Sequence, residues 1–244
     1  MIALIGGSGA SSADILGNLI ATSVETPWSD IPVQVFKAQN ENSGLLFLPR
    51  HGVGHKVPPH KINYRANLWA LKQSGADRIV ALNAVGSMDT GHQPGDLAIP
   101  VQVIDYTWGR EHTFYDGADG VVEHVDFTHP YDDELSSSLI KAARSIGQRI
   151  HENCTYAATQ GPRLESAAEI LRLEHDGANL VGMTGMPEAG LARELEIPYA
   201  SLCIVANLSA GKGDGELSLD EIFKALEEGV SNAVAVFEAM LGKA

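Results

Sequence analysis

Ile2-Ala3-Leu4-Ile5-Gly6-Gly7-Ser8-Gly9 opens the chain with a short apolar run that stops at a glycine turn. Four consecutive apolar residues without polar alternation read as a strand buried on both faces, the kind found inside a parallel sheet. Outward from this stretch, similar runs recur at 33–36, 45–48, 79–82, 97–103 and 199–206. Between and after them, helical periodicity predicts helices over 62–73, 132–146, 164–174, 187–195 and 218–241. The last is the clearest: Ser218 and Glu221 have capping-box spacing, and Leu219, Ile222, Leu226, Val230 and Val234 keep one apolar face. Strands interleaved with helices along the whole length predict an α/β fold with a central, largely parallel sheet. No repeat, low-complexity tract or composition break marks a linker, so one domain over residues 1–244 is expected. The longest irregular stretch, 105–131, is rich in Gly, His and aromatic residues and reads as a functional loop.

The composition excludes several classes of function. Apolar residues make up 44 % and charged residues 20 % of 244 residues, the balance of an ordinary globular protein. A formal net charge of -14 argues against a nucleic-acid partner, which needs a basic face. No apolar run approaches the roughly 18 residues of a membrane span, and Met1 leads into the first strand without a basic leader. Cys154 and Cys203 have no ligand or disulfide-framework spacing and fit reduced thiols in a cytoplasmic compartment.

Several short motifs offer anion chemistry. Gly6-Gly7-Ser8-Gly9, expected to precede a short helix, lets backbone N–H groups and the Ser8 hydroxyl approach an anion. It is neither a P-loop, lacking Gly-Lys-Ser/Thr, nor a good dinucleotide fingerprint, because Ser12 replaces the third glycine. Taken alone it is equally an ordinary turn. Arg50-His51-Gly52 ends the run 45–48, where an Arg can grip an oxyanion through two parallel N–H bonds; a surface ion pair and a loop histidine are the structural alternatives. Asn83-Ala84-Val85-Gly86-Ser87 carries small residues that leave backbone amides open. Thr184 lies ahead of a helix predicted to start at Pro187, and Met183 offers a soft apolar surface to a sugar, or is plain core.

Gly6-Gly7-Ser8-Gly9, Pro49-Arg50-His51-Gly52, Asn83-Ala84-Val85-Gly86-Ser87, Gln93-Pro94-Gly95-Asp96, Gln160-Gly161-Pro162-Arg163-Leu164-Glu165 and Gly182-Met183-Thr184-Gly185-Met186-Pro187-Glu188 occur in this order. Together, over 2–241, they resemble the trimeric purine nucleoside phosphorylase and methylthioadenosine phosphorylase family. The resemblance implies a three-layer phosphorylase-type α/β fold, a central mixed sheet flanked by helices, and a homotrimer with sites near subunit interfaces. It implies inorganic phosphate as co-substrate, with no other cofactor, held by Ser8, Arg50, His51, the Asn83 and Ala84 backbone and Thr184. It puts Met183 under the ribose and brings His124 to the 5′ side of a neighbouring copy's site. A metal held by His112, His124 and His129 is the alternative for that loop, against their spacing.

Within that family, Glu165 and Asn207 pair a carboxylate with a carboxamide, which suits a 6-oxopurine: Glu165 accepts N1–H and Asn207 engages O6 and N7. Relatives that cleave methylthioadenosine resemble this chain but carry Asp where it has Asn207 and typically Asp where it has Ser209. Leu219 stands where relatives accepting a 5′-hydroxyl present a His, so an apolar 5′-methylthio group is expected there; its spacing to Ile222 also fits a plain core residue. The expected reaction is phosphorolysis of 5′-methylthioinosine to hypoxanthine and 5-methylthioribose 1-phosphate, with Asn207 and Glu165 as catalytic groups. The alternatives are an inosine/guanosine phosphorylase, a methylthioadenosine phosphorylase, a non-catalytic purine- or phosphate-binding protein and, weakest, a dinucleotide-dependent oxidoreductase.

Overall fold

The computed structural model describes residues 1–10, 16–38, 44–118, 120–213 and 218–242. The helix expected directly after the first glycine turn falls outside them. Nine strands form one sheet: β1 (Ile2–Gly6), β2 (Leu19–Thr26), β3 (Ser29–Ala38), β4 (Leu45–Pro49), β5 (Arg78–Ser87), β6 (Leu97–Asp105), β7 (Ile150–Ala158), β8 (Leu180–Gly182) and β9 (Tyr199–Leu208). Five helices, α1 (Tyr64–Gln73), α2 (Asp133–Ser145), α3 (Ala167–His175), α4 (Glu188–Glu194) and α5 (Leu219–Met240), accompany it. Among the described residues no helix is long and apolar enough to cross a membrane.

The strand order is β2-β3-β4-β1-β5-β8-β7-β6-β9, and β9 also pairs with β5. The segment β5-β8-β7-β6-β9 therefore closes on itself. Antiparallel pairings β2–β3, β3–β4, β5–β8 and β6–β9 make the sheet mixed, which corrects the largely parallel arrangement read from the apolar runs. Side chains alternate across each strand and so feed two separate cores. Leu4, Phe47 and Leu82 pack with Leu139, Leu226, Val230 and Phe237 of α2 and α5. Ile5, Leu48 and Ile79 face the other way, against Leu68 and Leu71 of α1 and Leu191 of α4. This is the three-layer architecture.

Local signals set most helix ends. Asp132 accepts from the Leu135 N–H and caps α2, and Asp133 and Glu134 complement the first-turn dipole. Ser218 accepts from the Glu221 N–H at 3.4 Å, the forward half of the expected box. The reciprocal box is complete at α3, between Ser166 and Glu169. That cap starts α3 at Ala167, three residues later than the periodicity suggested. Pro187 is not the first helical residue but the N-cap of α4, which begins at Glu188.

One topological feature opens the site. Along one edge of β5, β1 pairs as far as Ala81 and then turns away at its glycines, while β8 joins only at Gly86. Residues 82–85 therefore have no strand partner on that edge among the described residues. Ligands of α/β sheets collect where neighbouring strands diverge in this way. Here it presents Ala84, with Asn83 buried behind it.

Candidate active site

A cavity of about 240 Å³ lies at this gap. Its wall includes Ser8, Arg50, His51, Ala84, Met183 and Thr184 together with Glu165, Asn207, Ser209 and Leu219. The residues expected from sequence at an anion site and at a purine site thus share one chamber. His124 is exposed and takes no part in this chain's own cavity. Among the described residues, no three or more His, Cys, Asp or Glu side chains are arranged to hold a metal ion.

Arg50 is held differently from the expectation. Its Nε and Nη2 each donate at 2.7 Å to the two carboxylate oxygens of Glu188, and Nη1 donates to the Leu82 carbonyl at 2.7 Å. The two-bond edge read as an oxyanion grip is therefore occupied by a buried protein carboxylate. One N–H on each terminal nitrogen has no protein acceptor among the described residues, although the side chain itself is closed to solvent. Burial alone would lower the Arg50 pKa; the Glu188 charge and hydrogen bonds outweigh it, and the net shift is upward. Glu188 also accepts from the Tyr199 hydroxyl at 2.8 Å. Gly7 is required beside this group, since a Cβ there would lie 2.8 Å from Arg50 Nη1 and from the Leu82 carbonyl oxygen.

Asn83 is fully buried behind the cavity wall. Its Nδ2 donates to Thr184 Oγ1 at 2.9 Å and its Oδ1 accepts from the Ser201 hydroxyl at 2.8 Å. The carboxamide is thus engaged by protein, and of the expected pair Asn83 and Ala84 only Ala84 is on the cavity wall. Because Thr184 Oγ1 already accepts, its own proton is free for an anion. The Thr184 and Gly185 N–H groups lean on the Tyr156 hydroxyl at 3.4 and 3.3 Å.

His51 Nδ1 lies 2.8 Å from the Val57 carbonyl, which can only accept, so Nδ1 carries the proton. Burial first, then the Arg50 charge, pushes its pKa from 6.5 down to about 4. At neutral pH the ring is uncharged and Nε2 is an acceptor, suited to the hydroxyl of hydrogenphosphate rather than to a bare dianion oxygen. Unfolded His51 takes up a proton below about pH 6.5 and folded His51 only near pH 4. Its stabilising contribution is therefore present above pH 6.5 and lost as pH falls through 4, roughly 3 kcal/mol at most. Denaturant titrations from pH 7 to pH 4 should show this loss, and a His51→Asn variant should show a shallower slope; equal slopes would contradict a buried neutral ring.

At the other group, Asn207 Nδ2 donates to the Leu208 carbonyl at 2.7 Å, which fixes the orientation of the amide. Oδ1 and the second N–H stay available. Gly86 runs beside it: a Cβ there would lie 2.9 Å from Ser209 Oγ and 3.5 Å from Asn207 Nδ2. Ser209 is buried and its hydroxyl has no protein partner among the described residues. Leu219 is 62 % exposed and Phe223 60 %, both on the cavity wall, so Leu219 is not a core residue of its helix.

Two residues at or beside the cavity escaped the sequence reading. His55 also lines the cavity, with its ring 4.2 Å from that of His51; a second His four residues on in a glycine-rich loop was the available signal. Arg110 anchors the long loop: Nη1 donates to the Met183 and Met186 carbonyls, and Nη2 to those of Thr159 and Gln160. Nothing in its local sequence marks it, because its partners lie about 50 to 76 residues away.

Residues 1–242 match the phosphorylase superfamily, and the chain belongs to that family. It is 43 % identical over 239 residues to a probable S-methyl-5′-thioinosine phosphorylase of Pseudomonas syringae pv. tomato, covering 98 % of this chain and 97 % of the relative. A probable 6-oxopurine nucleoside phosphorylase of Thermococcus kodakarensis is 47 % identical over 232 residues, covering 93 % and 86 %. A solved methylthioadenosine phosphorylase from Schistosoma mansoni, in complex with adenine, superposes with a TM-score of 0.91 at 30 % identity, covering 99 % of this chain and 90 % of that one.

Proposed function

We propose that this protein catalyses phosphorolysis of 5′-methylthioinosine, releasing hypoxanthine and 5-methylthioribose 1-phosphate. The observation that carries the reading is that Glu165, Asn207 and Leu219 line the same cavity as Ser8, Arg50, His51 and Thr184. The names of the Pseudomonas and Thermococcus relatives support the substrate and the 6-oxopurine base, respectively.

In this reaction a phosphate oxygen attacks C1′ while the C1′–N9 bond breaks and its electrons enter the purine. No protein nucleophile is needed; positioning and electrostatics do the work. Ser8, Thr184, the Ala84 amide and the two free Arg50 N–H groups hold the anion, and His51 Nε2 accepts its hydroxyl proton. Met183 supports the ribose. N7 takes up a proton from solvent as the base leaves, which balances the one that hydrogenphosphate gives up. Asn207 Oδ1 accepts that N7–H and its free N–H meets O6, while Glu165 accepts N1–H, a group adenine lacks. A site built for that donor disfavours its absence by about 10⁴-fold. Ser209 sits beside the base, and Leu219 with Phe223 packs the methylthio group, contributing about 1–2 kcal/mol over a hydroxyl.

We take residues 1–244 as one domain, inorganic phosphate as the only co-substrate, and a cytoplasmic homotrimer as the working form. The exposure of Leu219 and Phe223 favours a neighbouring copy completing the 5′ wall, with His124 reaching across. The second reading, a general inosine/guanosine phosphorylase, is favoured by the Thermococcus relative. Phosphate-dependent base release from 5′-methylthioinosine, inosine and 5′-methylthioadenosine decides among them. The specificity constant for methylthioinosine should exceed that for inosine by about ten-fold and that for methylthioadenosine by far more. Equal cleavage of inosine would remove the role of Leu219; preference for methylthioadenosine would remove that of Glu165 and Asn207.

A further inference from the structure

We propose that Thr159 is a positioning residue for base selection, which acts by aiming the Glu165 carboxylate. The inference rests on the reading of Glu165 as the N1–H acceptor. Thr159 directly follows β7, and its backbone is pinned on both sides. Its N–H donates to the Gly182 carbonyl at 2.8 Å, and its own carbonyl accepts from Arg110 Nη2 at 3.1 Å. From that fixed point Oγ1 donates to Glu165 Oε1 at 2.6 Å. The Gly182 carbonyl, at 3.3 Å, is the competing acceptor. A hydroxyl has one proton, and the shorter, charge-assisted bond to the carboxylate takes it.

Glu165 needs such a guide. It lies in the connector between Pro162 and the α3 cap Ser166, outside any helix or strand, on a side chain with three rotatable bonds. Its nearby cation does not hold it: the Arg163 fork is engaged by the two oxygens of Glu169, at 2.8 and 2.7 Å. Thr159, β-branched and stiff at χ1, therefore sets Oε1, while Oε2 has no hydrogen-bond partner among the described residues and belongs to a side chain on the cavity wall. Ordering this carboxylate in advance removes an entropy cost that substrate binding would otherwise carry.

The test compares one 6-oxopurine nucleoside, 5′-methylthioinosine, with its 6-amino counterpart, 5′-methylthioadenosine. Thr159→Val keeps the shape and removes the hydroxyl. It should lower kcat/KM for the oxopurine by roughly 10–30-fold and the oxo-to-amino ratio by about ten-fold. KM for phosphate should stay unchanged, and Thr159→Ser should restore the ratio to within about three-fold. An unchanged ratio in Thr159→Val, or an equal fall for both nucleosides with a raised phosphate KM, overturns the proposal. Should Thr159→Val not fold, Thr159→Ala, which only removes atoms, carries the same measurement. Glu165→Gln separates the two levels of inference. If that variant keeps the wild-type ratio, the reading of Glu165 fails and Thr159 falls with it. If Glu165→Gln abolishes the preference while Thr159→Val does not, only the role of Thr159 is lost.

Discussion

Replacing Asn207 by alanine is expected to lower kcat by roughly 10²–10³-fold while KM for the nucleoside changes only a few-fold. In the proposed reaction, negative charge accumulates on the purine as the C1′–N9 bond breaks, so N7 becomes basic enough to take up a proton from solvent, and an N7–H donor exists only then. An acceptor aimed at that position stabilises the transition state more than the ground state. The aim is supplied by the protein: the Leu208 carbonyl holds Asn207 Nδ2 at 2.7 Å and so fixes which end of the amide carries the acceptor. Alanine leaves the Leu208 carbonyl accessible at a half-buried position, so the fold should tolerate the change. Steady-state kinetics on 5′-methylthioinosine provide the check. A turnover number near wild type would assign departure of the base to another group, and a rise in KM alone would make Asn207 a binding contact only.

Glu188→Gln is expected to destabilise the fold by about 3–5 kcal/mol, because it leaves the Arg50 charge buried without a counter-charge. Both side chains are fully inaccessible, and no water can take the carboxylate's place without rearrangement. The loss should appear as a lower denaturant midpoint with an unchanged slope. The double replacement Arg50→Met with Glu188→Leu removes both charges, and should recover most of the stability, since a buried pair is often matched by apolar residues of similar volume. It should not recover activity, because the Arg50 N–H groups proposed to hold phosphate disappear. Recovery of both would show that Arg50 serves the fold alone; a single variant as stable as wild type would show that the pair is not buried in solution.

The pairing also bears on how phosphate would be gripped. Glu188 stands at the first position of a seven-residue helix, where the helix N-terminus favours negative charge. The helix end expected to attract a ligand anion thus already faces a protein carboxylate, and Arg50 bridges from that carboxylate to the cavity. In the proposed site, Thr184, the Ala84 amide and Ser8 would then carry a larger share of the anion than a free guanidinium would have left them.

Periodicity made β1, β4, β5, β9 and α5 legible because each buries a continuous or one-sided apolar face, which is a local property of the chain. β2, with none of its eight residues buried and five of them exposed, β7, which opens Ile150-His151-Glu152-Asn153, and β8, only three residues long, carry no such signal. They become strands through the neighbours they pair with. The glycine turn, Arg50-His51, Thr184, Glu165 and Asn207 could be picked out from residue type and motif order, since ligand chemistry demands particular functional groups wherever they sit. The sequence by itself therefore determined the α/β class, most helix positions and many of the groups that line the cavity. Tertiary structure alone decided the closed β5-β8-β7-β6-β9 segment, the gap along β5 that opens the site, and the partners that orient each group. Glu188 meets Arg50 across 138 residues, Ser201 meets Asn83 across 118, and Arg110 ties Met183 to Thr159. Hydrogen bonds between groups so far apart in the chain leave no period or spacing, because they depend on where the fold brings the backbone and not on what lies beside each residue.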